Sequence, residues 1–288
     1  KVPSYVRDDL DFLNHIPKQV PKNTLLVSFD VINLYTNITH DLGLEAIQYW
    51  LDQFPSLIHR RFNKEFIIQG LKTVLENNNF EFNGEMYNQI RGTAMGTKCA
   101  PTYATLVLAY LEEKLYKTII EIYQPSQANY IKQNWKRYLD DCFMIWTKTL
   151  EELNEFHNIL NNLHEDLKFT IEYAKTNLPF LDILVINNEG IIETDIYSKE
   201  TDTKQYLNFK SCHPKHTKIS IPYNLARRIC TIVSNTKTKE TRIEELNKIL
   251  LARNYPKTVI SQGFYKAKQL TREELLNKPK KGTRRHTP

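Results

Sequence analysis

Trp135-Lys136-Arg137-Tyr138-Leu139-Asp140-Asp141-Cys142-Phe143-Met144-Ile145-Trp146 sets two adjacent acids between two apolar arms. The arms suit a tight β-hairpin with the carboxylates at its tip. Neighbouring carboxylates repel one another, so a cation normally offsets them. Adjacent side chains on a strand point to opposite faces. One acid can therefore face a metal site fully while the other serves it peripherally. A solvated acidic turn is the competing reading, and the apolar flanks weaken it, because a hairpin with such arms lies within a core.

Upstream, residues 24–30 (Thr24-Leu25-Leu26-Val27-Ser28-Phe29-Asp30) form a short β-branched and aromatic run that reads as a buried strand. Its last residue, Asp30, stands where a carboxylate can hold a metal at the mouth of a sheet. Taken alone, it reads more readily as a strand-end acid capping a turn. A helix is expected over 41–51, capped by Asp41, and another over 64–76. Residues 78–90 alternate around Asn83-Gly84, a strong short hairpin signal. A glycine-bearing loop over 91–98 then leads to a long helix over 102–123.

Downstream, Thr149-Leu150-Glu151-Glu152 is a capping box opening a helix with Leu150, Leu153, Phe156, Leu160 and Leu163 at helical spacing. Residues 169–173 alternate as a strand. A hairpin is expected from 180–186 and 191–197 around Asn187-Asn188-Glu189-Gly190. From Ile219 the pattern turns helical over 220–234, 241–252 and 257–268. The last two helices are joined by Arg253-Asn254-Tyr255-Pro256, the short turn of a helix-turn-helix. Helices interleaved with mostly antiparallel strands, then helices alone, predict an α+β layer followed by an all-α region.

At 288 residues the chain can bury a substantial core, and its 41% hydrophobic and 25% charged residues suit a globular protein without a membrane span. Four scattered cysteines without a paired spacing point to free thiols in a reducing compartment. In Cys212-His213-Pro214-Lys215-His216 a zinc site lacks a second Cys/His pair, so surface residues are the better reading. Net charge divides sharply: residues 1–203 carry 19 Lys+Arg against 28 Asp+Glu, and 204–288 carry 20 against 5, giving −9 and +15. The basic third would attract a polyanion. The acidic part would repel it unless cations mask its carboxylates. Asp30 and Asp140 together then make sense as a two-metal site for in-line phosphoryl transfer, with oxygen ligands that suit Mg²⁺.

Ser28-Phe29-Asp30-Val31-Ile32-Asn33-Leu34-Tyr35-Thr36-Asn37-Ile38 resembles motif A of reverse transcriptases. Gly92-Thr93-Ala94-Met95-Gly96-Thr97-Lys98-Cys99-Ala100-Pro101 resembles motif B, and Tyr138-Leu139-Asp140-Asp141 motif C. The wording of motifs A and B is similar to that of Penelope-like retroelements, relatives of telomerase. So is that of Leu178-Pro179-Phe180-Leu181-Asp182, of Thr201-Asp202-Thr203-Lys204-Gln205-Tyr206-Leu207 and of Ser211-Cys212-His213-Pro214-Lys215-His216. The resemblance runs over about residues 1–270.

The resemblance implies a right-hand polymerase palm, an antiparallel sheet packed on helices, over 1–203 with a remnant of the fingers. It implies a basic helical, thumb-like region over 204–270 and leaves a basic, disordered tail over 271–288. Asp30, Asp140 and Asp141 would be catalytic metal ligands for two Mg²⁺ ions, with Mn²⁺ a possible substitute. Val31 would offer a backbone carbonyl, and Tyr35 would pack beneath the incoming sugar and exclude a 2′-hydroxyl. Met95 and Gly96 would line the template–nucleotide pocket, Met95 standing where many relatives have Gln. Lys175 would protonate the leaving pyrophosphate, and Phe180 and Leu181 would grip the primer. The implied partners are an RNA template, a DNA primer and deoxynucleoside triphosphates, at an intracellular, nuclear site of action.

Only 29 residues precede Asp30, and the start has neither an initiator Met nor a signal peptide. The expectation is an excerpt of a longer product, without the upstream finger motifs and without a GIY-YIG nuclease. The alternative function is a catalytically inactive remnant that only binds nucleic acid.

Overall fold

The computed structural model describes residues 2–276. In chain order its elements are α1 (Asp9–Leu13), β1 (Leu25–Val31), α2 (Leu34–Asn37), α3 (His40–Gln53), α4 (Lys64–Glu76), β2 (Asn79–Phe82), β3 (Glu85–Asn88), α5 (Ala100–Ile122), α6 (Pro125–Asn134), β4 (Lys136–Tyr138) and β5 (Asp141–Trp146). There follow α7 (Leu150–Asn161), β6 (Phe169–Ala174), β7 (Asn177–Phe180), β8 (Ile183–Asn188), β9 (Ile191–Ile196), α8 (Lys215–Ile232), α9 (Thr236–Ala252), α10 (Lys257–Lys268) and α11 (Arg272–Leu276). No helix among the described residues is long and apolar enough to cross a membrane.

Among the described residues the chain forms two compact units, residues 2–5 with 27–173 and residues 6–26 with 174–276. They divide it elsewhere than the motif-based boundary at 203/204, because the sheet β7-β8-β9 clusters with the C-terminal helices rather than with the first sheet.

In the first unit a four-stranded sheet has the order β4-β5-β1-β6. This nonlocal order makes β1, from near the start, the neighbour of β5. Apolar side chains explain the layer beneath it: Phe29 of β1 meets Trp135 and Phe156 at ring-centroid distances of 5.2 and 5.9 Å, and Trp146 stacks on Phe156 at 5.7 Å. Helix α5 buries Val107, Leu108, Leu111, Leu115 and Ile119. Helix α3 crosses α5 where Gly43 lets the ring of Tyr103 lie against its backbone. Thr39, rather than the expected Asp41, caps α3 by accepting from the Leu42 amide at 3.3 Å. Asp41 instead stands in the first turn, where its charge favours the helix dipole.

The β2–β3 hairpin closes through Asn83 (φ 52°) and Gly84 (φ 81°), as its Asn-Gly pair requires. Helix α6 has no counterpart in the sequence reading; Pro125 starts it at a position where the missing N–H is harmless.

In the second unit β7, β8 and β9 form an antiparallel meander. The single strand expected over 180–186 is corrected here: Leu181, left-handed at φ 53°, and Asp182 turn the chain, so Phe180 ends β7 and Ile183 starts β8. Helices α8, α9 and α10 bury Ala226, Ile229, Ile243, Leu246, Leu250 and Ile260 in one core, with Val233 just after α8. Gly263 of α10 lies so near Pro222 and Tyr223 of α8 that a Cβ there would meet the Tyr223 amide nitrogen at 2.9 Å.

The expected tail over 271–288 begins later than read. Residues 272–276 form α11, because Thr271 before it and Glu274 make a reciprocal cap and Arg272 donates from Nε to the Thr231 carbonyl at 2.9 Å. Residues 277–288 lie outside the described residues.

Candidate active site

The 139–140 turn and the end of β1 lie on neighbouring strands. Tyr138 pairs with Asp141 in the β4–β5 ladder, so Leu139 and Asp140 form the turn and Asp141 opens β5. The two acids thus differ in place: Asp140 sits on the tip and Asp141 in the ladder. Asp30 is exposed near the end of β1, between buried Phe29 and buried Val31. Partial burial first, and the neighbouring Asp140 charge second, push the Asp30 carboxyl above its ordinary value. The same two causes, in the same order, raise the Tyr35 phenol. Asp30, Tyr35 and Asp140 therefore share one electrostatic neighbourhood, although more than a hundred residues separate the first from the last.

Local chain geometry places Tyr35. Asn33 takes a left-handed conformation (φ 48°), which non-glycine residues adopt chiefly when they are Asn or Asp, and turns the chain into the single helical turn α2. Asn37 Nδ2 donates to the Ile32 carbonyl at 3.0 Å, closing the segment on itself. The Gly92 loop docks onto this turn: the Thr93 amide donates to the Tyr35 carbonyl at 2.6 Å, and His40 Nε2 lies 3.1 Å from the Gly92 carbonyl. Gly92 is at φ +81°, and a Cβ there would meet Thr36 Cα and the Tyr35 carbonyl at 2.8 Å. Beyond it Met95 is 77% exposed and Gly96 (φ +99°) faces open space, so both present themselves to solvent next to a fixed base.

The family model for reverse transcriptase (RNA-dependent DNA polymerase) matches residues 3–210. The chain belongs to the reverse transcriptase family. A model of the animal helix-turn-helix domain matches residues 205–264, which contain α8, α9 and most of α10. Among solved structures, telomerase from Candida albicans in complex with a fragment of telomeric RNA is similar with a TM-score of 0.56 and 13% identity, over 94% of this chain and 45% of that one. Apo telomerase from Candida tropicalis is similar with a TM-score of 0.55 and 14% identity, over 93% and 47%. The RNA-dependent RNA polymerase of a human picorbirnavirus gives 0.51 and 13%, over 88% and 47%. At these identities the likeness is one of fold. The chain spans under half the length of these polymerases. No curated protein sequence matches it.

The remaining positions implied by the reverse transcriptase motifs fall as follows. Val31 is buried at the end of β1. Lys175, exposed between β6 and β7, and Phe180 and Leu181 at the β7–β8 turn all belong to the second unit. Cys212, His213 and His216 are exposed, and His213 Nδ1 is 3.2 Å from Ser211 Oγ. Among the described residues no three His, Cys, Asp or Glu side chains converge as a ready metal cage. Asp30 feels the charge of Asp140 across the sheet.

Two residues beneath the 139–140 turn escaped the sequence reading. Arg137 of β4 is 1% exposed, and Glu112 of α5 is also buried. Arg137 donates to Glu112 from Nε at 2.7 Å and from Nη2 at 3.3 Å, to the Thr105 carbonyl from Nη2 at 3.2 Å, and to the Leu139 carbonyl from Nη1 at 3.0 Å. Glu112 also accepts from Ser4 Oγ at 2.6 Å and Trp135 Nε1 at 2.9 Å. An arginine inside a strand whose neighbours are polar carries no sequence signal of burial.

Proposed function

We propose that the chain is the catalytic part of an RNA-directed DNA polymerase of a Penelope-like retroelement, extending a DNA primer on an RNA template with deoxynucleoside triphosphates. The observation that carries the reading is the reverse transcriptase match over residues 3–210, within which Asp30 and Tyr35 both feel the charge of Asp140. The Penelope-like assignment rests on the wording of residues 34–38, 92–97, 178–182, 201–207 and 211–216. In this reading residues 1–203 serve as palm, 204–270 as thumb, and the protein acts in the nucleus.

The donor set fits a divalent cation. Two like-charged carboxylates approach at Asp30 and Asp140, and Asp141 follows directly. Mg²⁺ prefers oxygen donors, retains waters and commonly takes one or two carboxylates plus substrate phosphates, so a three-acid cage is not required beforehand. Asp30, Asp140 and Asp141 would hold two Mg²⁺ ions, or Mn²⁺ in their place. When bound, such ions supply activation of the attacking 3′-hydroxyl and charge stabilisation at the leaving pyrophosphate.

The chain's own residues do the rest. Tyr35, held by Thr93 and the turn before it, sits under the sugar of the incoming nucleotide and leaves no room for a 2′-hydroxyl. The Val31 main chain and the exposed Met95-Gly96 segment meet the nucleotide and its template base; glycine permits close backbone approach.

Primer extension on an RNA template tests this. Wild type should extend with deoxynucleotides, Asp140→Ala should lose about a hundredfold or more in rate, and Tyr35→Ala should admit ribonucleotides. Equal extension by wild type and Asp140→Ala would sink the assignment. Binding of an RNA/DNA hybrid with no extension in any divalent metal would leave only a binding protein, and efficient ribonucleotide use by wild type would favour an RNA polymerase.

A further inference from the structure

We infer that Arg137 and Glu112 are positioning residues for Asp140: together they clamp the Leu139 carbonyl and so hold the turn that presents the acid. The inference rests on the polymerase reading for its consequence, but its geometry is independent of it.

A buried ion pair alone would need no such role. Taking two charges out of water costs about as much as their attraction returns, and an apolar pair of similar volume often serves stability equally well. What an apolar pair cannot do is donate a hydrogen bond to a turn carbonyl. Arg137 makes that bond to Leu139, and its other described contacts fix the guanidinium against α5 through Glu112 and Thr105. The planar fork spans these partners at once, which a lysine point charge cannot.

The turn needs holding. Leu139 sits at φ 51°, a left-handed conformation that glycine takes freely and leucine does not. Asp140 is the next residue, so any relaxation of Leu139 swings its carboxylate. Behind it, Cys142 Sγ lies 3.7 Å from the Asp140 carbonyl, and the Arg137 amide donates to the Ser4 carbonyl at 2.8 Å. Strand β4 is thus tied to the N-terminal segment, α5 and its own turn. The Glu112 carboxylate accepts from three side chains, Ser4, Trp135 and Arg137, and keeps the guanidinium from rotating away.

The test replaces the pair by apolar residues, Glu112→Leu with Arg137→Met, and reads the melting temperature, hybrid Kd, kcat, KM for nucleotide and hydrogen exchange at residues 138–141. The expected result is a folded protein with hybrid Kd and KM within about twofold of wild type, faster exchange in the turn and kcat down by about tenfold or more. Adding Leu139→Gly should recover most of kcat, because glycine occupies the left-handed region without the steric cost that drives leucine out of it. A purely structural role for Arg137 would give no such recovery.

If the double variant fails to fold, Arg137→Lys with and without Leu139→Gly asks the same question. Unchanged kcat and unchanged turn exchange in the clamp variants, or no recovery with glycine, would overturn the inference. Absence of extension by wild type itself would instead sink the polymerase reading, while the exchange of residues 138–141 would still decide the clamp.

Discussion

Asp30 carries a carboxyl raised by partial burial and by the charge of Asp140. A carboxyl raised in the folded state binds its proton more tightly there than in the unfolded chain. Stability is then fully present below the unfolded value and falls as pH rises through the folded one. In metal-free buffer at pH 7, Asp30→Asn should therefore melt slightly above wild type, by about 0.5 kcal/mol for a side chain this solvated. The gap should close on titration toward pH 4. Thermal unfolding across that range checks it; a gap that widens on acidification would reverse the sign. A second residue-scale contrast is Gly92 against Gly96. Both have positive φ, but only Gly92 abuts backbone, at Thr36 and Tyr35. Gly92→Ala should cost about 2–3 kcal/mol and Gly96→Ala about 1 kcal/mol. Gly92→Ala should also weaken nucleotide use, since it pushes the loop off Tyr35. Denaturant unfolding of the two variants gives the ranking.

At the scale of elements, α8 and α10 meet where Gly263 faces Pro222. Their close approach depends on a missing side chain, so Gly263→Leu forces the helices apart. The expected loss is about 1–3 kcal/mol from overpacking, read as a fall in the denaturant midpoint, while Gly70→Ala, in open space on α4, should be neutral or stabilising. The elements also show what a sequence carries and where it falls silent. Helix α4 and the β2–β3 hairpin were readable to within a residue or two because Asn-Gly forces one turn and apolar residues recur at helical spacing. The capping box at Thr149 was equally plain. The turn at Leu181 was hidden, since a leucine at positive φ looks like one more strand residue. Helix α11 carried its cap in Thr271 and Glu274 but was outweighed by the basic composition around it. That Asp30 would feel the charge of Asp140 was suggested by charge chemistry and then by family wording, not by the local pattern of either segment. It depends on the sheet order β4-β5-β1-β6, a nonlocal arrangement to which neither segment alone points. Arg137 was missed for a related reason: its partners lie on α5 and in a turn, and no spacing encodes them.

Over the whole molecule, charge is sorted by chain position, −9 before residue 204 and +15 after it. The structure sorts it again by chemistry. Several arginines of the basic third are engaged inside the fold: Arg228 with Asp9 and Asp182, Arg242 with buried Asp195 and with Glu245, and Arg253 and Arg272 with main-chain carbonyls. Lysines 210, 215, 237, 248, 257, 266 and 268 are exposed. Their ammonium groups are mobile point charges, suited to attracting phosphates without fixing a base sequence. The two classes should therefore fail differently. Lys257→Gln with Lys266→Gln should leave the melting temperature unchanged, weaken hybrid binding equally for any sequence, and flatten the slope of log Kd against log salt by about 2. Arg242→Gln should cost about 2 kcal/mol or more in stability by leaving the buried Asp195 carboxylate short of its partner, and leave the salt slope alone under conditions where the variant stays folded. Binding titrations from low to moderate salt, beside melting curves of the same samples, separate the two. A salt slope unmoved by the lysine pair would place the phosphate contacts elsewhere on the chain.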